Sequence, residues 1–197
     1  MMIGFIGLNN PQKLEAASIK NKAMKELVSK TKWTFDPYTK GTPKKYPTKK
    51  GTILVTPDPF LGLIPTGHSA IVIDKDSVIE SNKVGVVYGK NNWFEQKKYT
   101  IALRVKGLSD AKHNAAAVQA TKHLKKKYNL NYLNYKTRNS FYCSQLVWSA
   151  FYDLFNINLD TNQYGMAMKS KVAAIHPLEL AHSNLTEKVF MYDNIKK

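Results

Sequence analysis

Between residues 52 and 105 short β-branched runs alternate with turn residues, and between residues 109 and 155 the apolar positions change to helical spacing. Residues 52–56 read Thr-Ile-Leu-Val-Thr and are closed by Pro57, and residues 69–73 end at the turn Asp74-Lys75-Asp76. Residues 77–81, 85–88 and 99–105 continue the strand pattern. Ser109 and Asp110 then open a helix predicted to reach about Tyr128, with Ala117, Ala120, Leu124 and Tyr128 on its buried stripe. That reading puts Lys125, Lys126 and Lys127 near the helix C-terminus as a solvated face, where cations suit the dipole, and leaves His113 and His123 exposed. A second helix starts around Cys143. Its Leu146, Val147, Ala150, Phe151, Leu154 and Phe155 form a wide apolar stripe that must pack on the core.

The flanks are less regular. Asn10-Pro11 reads as an N-cap followed by proline at the first helical position, opening a helix over about residues 11–30. Residues 36–51 hold three prolines, two glycines and an excess of lysine, the pattern of an exposed arm. Beyond Asp160 the pattern gives an irregular tail, with His176 in a loop before Pro177. No internal repeat is present. The expected organisation is an N-terminal helix and arm over residues 1–50, followed by one α+β domain over residues 51–197. In that domain a mostly antiparallel sheet packs against helices.

The 197 residues, 43% of them hydrophobic, suffice for one substantial core. The formal net charge of +16 exceeds anything folding requires and favours polyanionic partners: nucleic acid, anionic lipid or a phosphate-rich wall polymer. No nucleic-acid motif is present and the aromatics are not interleaved with the basic residues, so no specific nucleic-acid partner is expected. No run approaches the roughly 20 apolar residues that span a bilayer. Residues 1–8 are apolar but have no basic flank or small-residue cleavage site, so they read as a trimmed secretory signal or a buried segment. One cysteine forbids an internal disulfide and any site of several thiolates, and no metal or cofactor is expected.

That cysteine, Cys143, stands where the second long helix begins. A thiol in the first turn of a helix meets unpaired backbone amides and the positive end of the dipole, which favour the thiolate. The same amides can receive an oxyanion. Among five histidines, His68 differs from the rest: Pro65-Thr66-Gly67 leads it straight into an apolar strand, with a glycine clearing space beside the ring. Glu80 follows on the next strand after the Asp74–Asp76 turn; a hairpin there brings it near the register of His68, where it can orient the imidazole. Tyr142 and Ser144 are further candidate oxyanion donors. Asn162 and Tyr164 are candidate substrate contacts on a rim formed by residues 160–173.

Gly67-His68-Ser69-Ala70-Ile71-Val72, Val78-Ile79-Glu80-Ser81 and Phe141-Tyr142-Cys143-Ser144-Gln145-Leu146-Val147-Trp148 resemble the permuted papain-like amidases of the YiiX/YycO type, relatives of the NlpC/P60 cell-wall hydrolases. In that group histidine precedes cysteine along the chain, as His68 and Glu80 precede Cys143 here. Residues 51–56, Trp93, Leu103-Arg104 and His176-Pro177-Leu178-Glu179-Leu180 resemble its other landmarks. The opening strand of the family usually carries Asp where this chain has Thr52.

The resemblance implies a circularly permuted papain-like fold, an antiparallel sheet or barrel against helices, and a Cys143–His68–Glu80 triad. It also implies an amidase or peptidase acting on peptide or amide bonds, with cell-wall peptides the expected substrate. The expected location is then the bacterial envelope or exterior, the cytoplasm being the alternative. Two other readings compete. One is a lipid acyl hydrolase or acyltransferase of the same superfamily, with Phe60, Leu61, Leu63 and Ile64 as an apolar lip and the lysines on a membrane surface. The other is a non-catalytic module that uses charge to hold an anionic polymer.

Overall fold

The computed structural model describes residues 46–58, 67–161 and 174–193. The helix over residues 11–30, the apolar lip, and the rim residues Asn162 and Tyr164 lie outside the described residues. Strands β1 (Ile53–Thr56), β2 (His68–Val72), β3 (Ser77–Asn82), β4 (Gly85–Lys90), β5 (Tyr99–Val105) and β8 (Thr186–Asp193) form one antiparallel sheet. Its spatial order is β4-β3-β2-β1-β5-β8, so among the described residues it is open rather than closed into a barrel.

Alternation along the strands supplies both faces with apolar side chains. One face, with Ile53, Val55, Ile71, Ile79, Ile101 and Leu103, packs under the helices. These are α2 (Asp110–Thr121), α3 (Cys143–Phe155) and α4 (Pro177–His182). The other face gathers Leu54, Ala70, Val72, Val78 and Ala102 around Trp93 of the short helix α1 (Trp93–Gln96). Helix α3 buries Leu146, Val147, Ala150 and Phe151 as the spacing predicts, while Leu154 faces solvent.

Four expectations are corrected. Helix α2 stops at Thr121 instead of near Tyr128. Lys125 takes a left-handed φ of 67°, and its amide, with the Lys126 carbonyl, bonds Val86 of β4. Lys127–Tyr128 then form β6, parallel to β7 (Ser140–Phe141), so the lysine run lies past the helix end. His113 and His123 are buried, because the inward stripe of α2 is His113, Ala116, Ala117 and Ala120. His113 accepts the Val105 N–H at Nε2 and bonds the Ser109 carbonyl through Nδ1, while His123 packs on Phe141. The described end of the basic arm is anchored, since Pro47 is buried and the Tyr46 hydroxyl accepts the Trp93 N–H at 3.0 Å. The tail is regular where described: His176 is the buried N-cap of α4, and β8 pairs along β5.

The His113→Ala variant leaves the Val105 amide without its buried partner. We expect a loss of about 1–3 kcal/mol in urea unfolding. A loss below about 0.5 kcal/mol would mean that the imidazole does not tie α2 to β5.

Candidate active site

Cys143, His68 and Glu80 come together at the end of the sheet where the N-terminus of α3 arrives. His68 is the first residue of β2, and Gly67 before it has φ +90°. A Cβ at Gly67 would run into the Thr56 carbonyl, so the chain can enter the strand at that angle only through glycine. In the hairpin Ala70 lies opposite Glu80, which makes Glu80 a diagonal neighbour of His68 on the same face. The ring Nε2 and Glu80 Oε2 are 2.6 Å apart. Gly89 of β4 makes room for this carboxylate, because a Cβ there would meet Glu80 Oε1. The imidazole also stacks on Trp93, centroids 5.5 Å apart and planes inclined by 26°.

With Nε2 committed to Glu80, the other end of the ring serves Cys143, to which His68 is hydrogen-bonded. The thiol is almost wholly buried, at 3% exposure. Burial by itself would push Cys143 up; the hydrogen bond and charge of His68, with the backbone amides of Ser69 and Ser144, outweigh it and bring the thiol below its ordinary value. Burial would push His68 down, yet its bonds to Cys143 and Glu80 and their negative charges raise it to about 9. Burial would likewise raise Glu80, and the bond and charge of His68, aided by Lys97 and the Asn82 side chain, hold it below the usual carboxylate range. All three shifts favour the charged forms, a thiolate, an imidazolium and a carboxylate.

The surrounding polar groups fix the backbone. The Tyr142 hydroxyl accepts the Ile175 N–H at 3.0 Å, and the Ser144 hydroxyl donates to the Ile175 carbonyl at 2.7 Å. Both side chains are thus engaged in tying the start of α3 to the approach to α4, and Ser144 reaches the sulfur through its amide instead. Gln145 caps the helix by accepting the Tyr142 N–H and donates to the carbonyls of Tyr135 and Thr137. The Ser81 hydroxyl donates to the Phe141 carbonyl, joining β3 to the residue two before the cysteine.

Three contributors were not legible in the sequence: the Ser69 amide, the stack of Trp93 on His68, and Tyr128. The hydroxyl of the half-buried Tyr128 in β6 is shielded from water, and burial and the negative charge of Cys143 both raise it. Gly67 carried the local signal of close approach, whereas Gly89 lies just past the strand read over residues 85–88.

A buried thiol at a helix start, an imidazole on a strand and an acid on its neighbour form the arrangement of papain-like cysteine hydrolases, here with histidine ahead of cysteine. The chain belongs to the family of permuted papain-like amidase enzymes, YaeF/YiiX (C92), whose model matches residues 56–190. That family makes it a hydrolase of the cysteine peptidase and amidase kind. Its fold is similar to that in the crystal structure of metalloprotein YiiX from Escherichia coli O157:H7, with a TM-score of 0.54 and 15% identity over 72% of this chain and 96% of that one. No curated protein matches the chain. Among the described residues no group of three or more His, Cys, Asp or Glu side chains could hold a metal ion.

If the Glu80 carboxylate sustains the charge on His68, Glu80→Gln keeps the shape and lowers the imidazole from about 9. Titration of the His68 ring by NMR measures this. An unchanged value would show that the carboxylate does not stabilise the imidazolium.

Proposed function

We propose that the chain is a cysteine amidase or peptidase in which Cys143 is the nucleophile, His68 the general base and acid, and Glu80 the group that orients the imidazole. The observation that supports this best is the unbroken, buried Glu80–His68–Cys143 chain, with two backbone amides directed at the sulfur.

The thiolate of Cys143 attacks the substrate carbonyl, and the oxyanion is received by the Cys143 backbone N–H in the unpaired first turn of α3. The Tyr128 hydroxyl is the second donor. As the tetrahedral adduct collapses, the imidazolium gives its proton to the leaving amine. A water then loses a proton to His68 and attacks the thioester, which regenerates the thiolate and releases the acid. Glu80 stays ionised throughout and holds the ring with Nε2 away from the sulfur. Peptide or amide bonds of the bacterial cell wall are the proposed substrate, on the strength of the amidase family and the basic surface. The envelope or exterior is the matching location.

Amine release from wall-derived peptides should fall by about 10³-fold or more in Cys143→Ser and His68→Ala. Unchanged turnover in Cys143→Ala would remove the nucleophile, and fatty-acid release from phospholipid vesicles without peptide cleavage would move the chemistry to lipid.

The pH dependence has a definite sign. His68 is raised, so turnover is lost as pH climbs through about 9 and the imidazole no longer has a proton to give. Cys143 is lowered, so turnover is lost on the acid side as the thiolate takes up a proton. Iodoacetamide should alkylate Cys143 well below the ordinary thiol pKa of about 8.5 in the wild type. In His68→Ala the reaction should shift to higher pH. The same profile in both forms would sink the assignment.

A further inference from the structure

The end of the sheet that holds the triad also displays apolar side chains to solvent. Ala70 lies opposite Glu80 and Asn82 opposite Gly85, so the β3–β4 turn, Lys83-Val84, projects from the end where His68 begins β2. Val84 is 70% exposed on that turn, its N–H held by the Asn82 side chain at 3.0 Å. Beside the turn the Lys126 carbonyl accepts the Val86 N–H, and the Lys125 N–H donates to the Val86 carbonyl. The chain then runs through Lys127 and Tyr128 of β6 into a turn in which Leu130 is 78% and Leu133 57% exposed. Tyr132, between the two leucines, points inward onto the rings of Tyr128 and Tyr142. The turn is also tethered. Asn129 Nδ2 donates to the Asn134 carbonyl and to Gln145 Oε1 of α3, and the Asn129 N–H donates to the carbonyl of Phe141, two residues before the cysteine.

Exposed apolar residues scattered singly are ordinary on a protein surface. These three share one end of the molecule, and lysines stand among them. Lys83, Lys125 and Lys127 are exposed, and none takes part in the ion pairs formed among the described residues. Apolar side chains that enter the interface, ringed by cations that meet acidic headgroups, are what hold a protein on an anionic membrane. A dissolved polyanion would draw on the lysines alone and gain nothing from Val84, Leu130 and Leu133. We propose that this end of the sheet docks on an anionic lipid bilayer, with those three side chains in the interface and the three lysines against the headgroups. The triad end then faces the membrane, toward substrates held at its surface. This goes beyond the hydrolase reading and does not depend on it, since docking involves no step at the sulfur.

Cys143 is the only cysteine, so in a Cys143→Ala background one introduced thiol reports one place. An environment-sensitive fluorophore is attached there through Leu130→Cys or, as the control, through Val189→Cys on β8 at the far edge of the sheet. The probes are vesicles of phosphatidylcholine with or without phosphatidylglycerol. We expect the Leu130 label to shift to the blue on the anionic vesicles and the Val189 label not to respond. In co-sedimentation the unlabelled chain should prefer anionic to neutral vesicles by about tenfold or more, a preference that about 0.5 M salt removes. Lys83→Gln and Lys127→Gln should each weaken binding by about fivefold. Leu130→Ser/Leu133→Ser should weaken it by about tenfold, and Leu130→Ser alone serves if the double variant does not fold.

No preference for anionic vesicles overturns the inference, as does a label that responds at Val189 in place of Leu130. Binding that survives the leucine substitutions overturns it too; joined to equally tight binding of inorganic polyphosphate, it would make the surface a site for dissolved polyanions. The hydrolase reading stands or falls on turnover by Cys143, which none of these measurements records, so the two can fail separately.

Discussion

The structure is organised around a chain of three titratable side chains, Cys143, His68 and Glu80, held almost out of water. Alone at the end of β2, the thiol, the imidazole and the carboxylate would each be driven neutral by burial, as the opposing effects on all three show. Together each offsets the cost of the next. Breaking one link of a buried charge pair typically costs about 3–5 kcal/mol, well above the roughly 1 kcal/mol of an ordinary hydrogen bond. The spacing of the three groups therefore has little freedom. The hairpin register sets Glu80 diagonally across from His68, Gly67 and Gly89 clear the backbone from their path, and Trp93 closes one face of the ring. The hydroxyls of Ser81 and Ser144 anchor the helix end that delivers the sulfur.

Much of this was legible in the amino-acid sequence, for reasons that differ by element. Strands β1 to β5 announce themselves because β-branched runs are cut by Pro57, the Asp74–Asp76 turn and Gly85. Helix α3 and the position of Cys143 at its start follow from one wide apolar stripe. The end of α2 does not, because Leu124 and Tyr128 keep helical spacing while the backbone is drawn away to pair with β4. That is a tertiary preference which no local pattern displays. The same cause misplaces His113 and His123: His113 reads as polar until the β5 amide that it accepts is known, and His123 until Phe141 is seen packed against it.

The site was legible to the extent that it depends on order along the chain. Glycine before histidine, an acid on the following strand, and a cysteine at a helix start are sequence statements. The partners that complete it, a backbone amide of β2, a ring from α1 and a phenol from β6, belong to segments brought together only by folding. Tyr142 and Ser144 read as candidate donors from their place beside Cys143, and the structure shows what their hydroxyls bond. Both hydroxyls bond the backbone at Ile175.

The hairpin that joins His68 to Glu80 spans only twelve residues, whereas the helix bearing Cys143 comes much later in the chain. As the protein is synthesised, base and acid can meet early, and the nucleophile emerges from the ribosome last. Until α3 docks, its sulfur has neither His68 nor the Ser69 amide and remains an ordinary thiol. On the proposed mechanism, a nascent chain holds a base with nothing to activate, so hydrolytic capacity arrives only when the fold is complete. On that mechanism the permuted order ties the appearance of activity to the docking of α3 on β2.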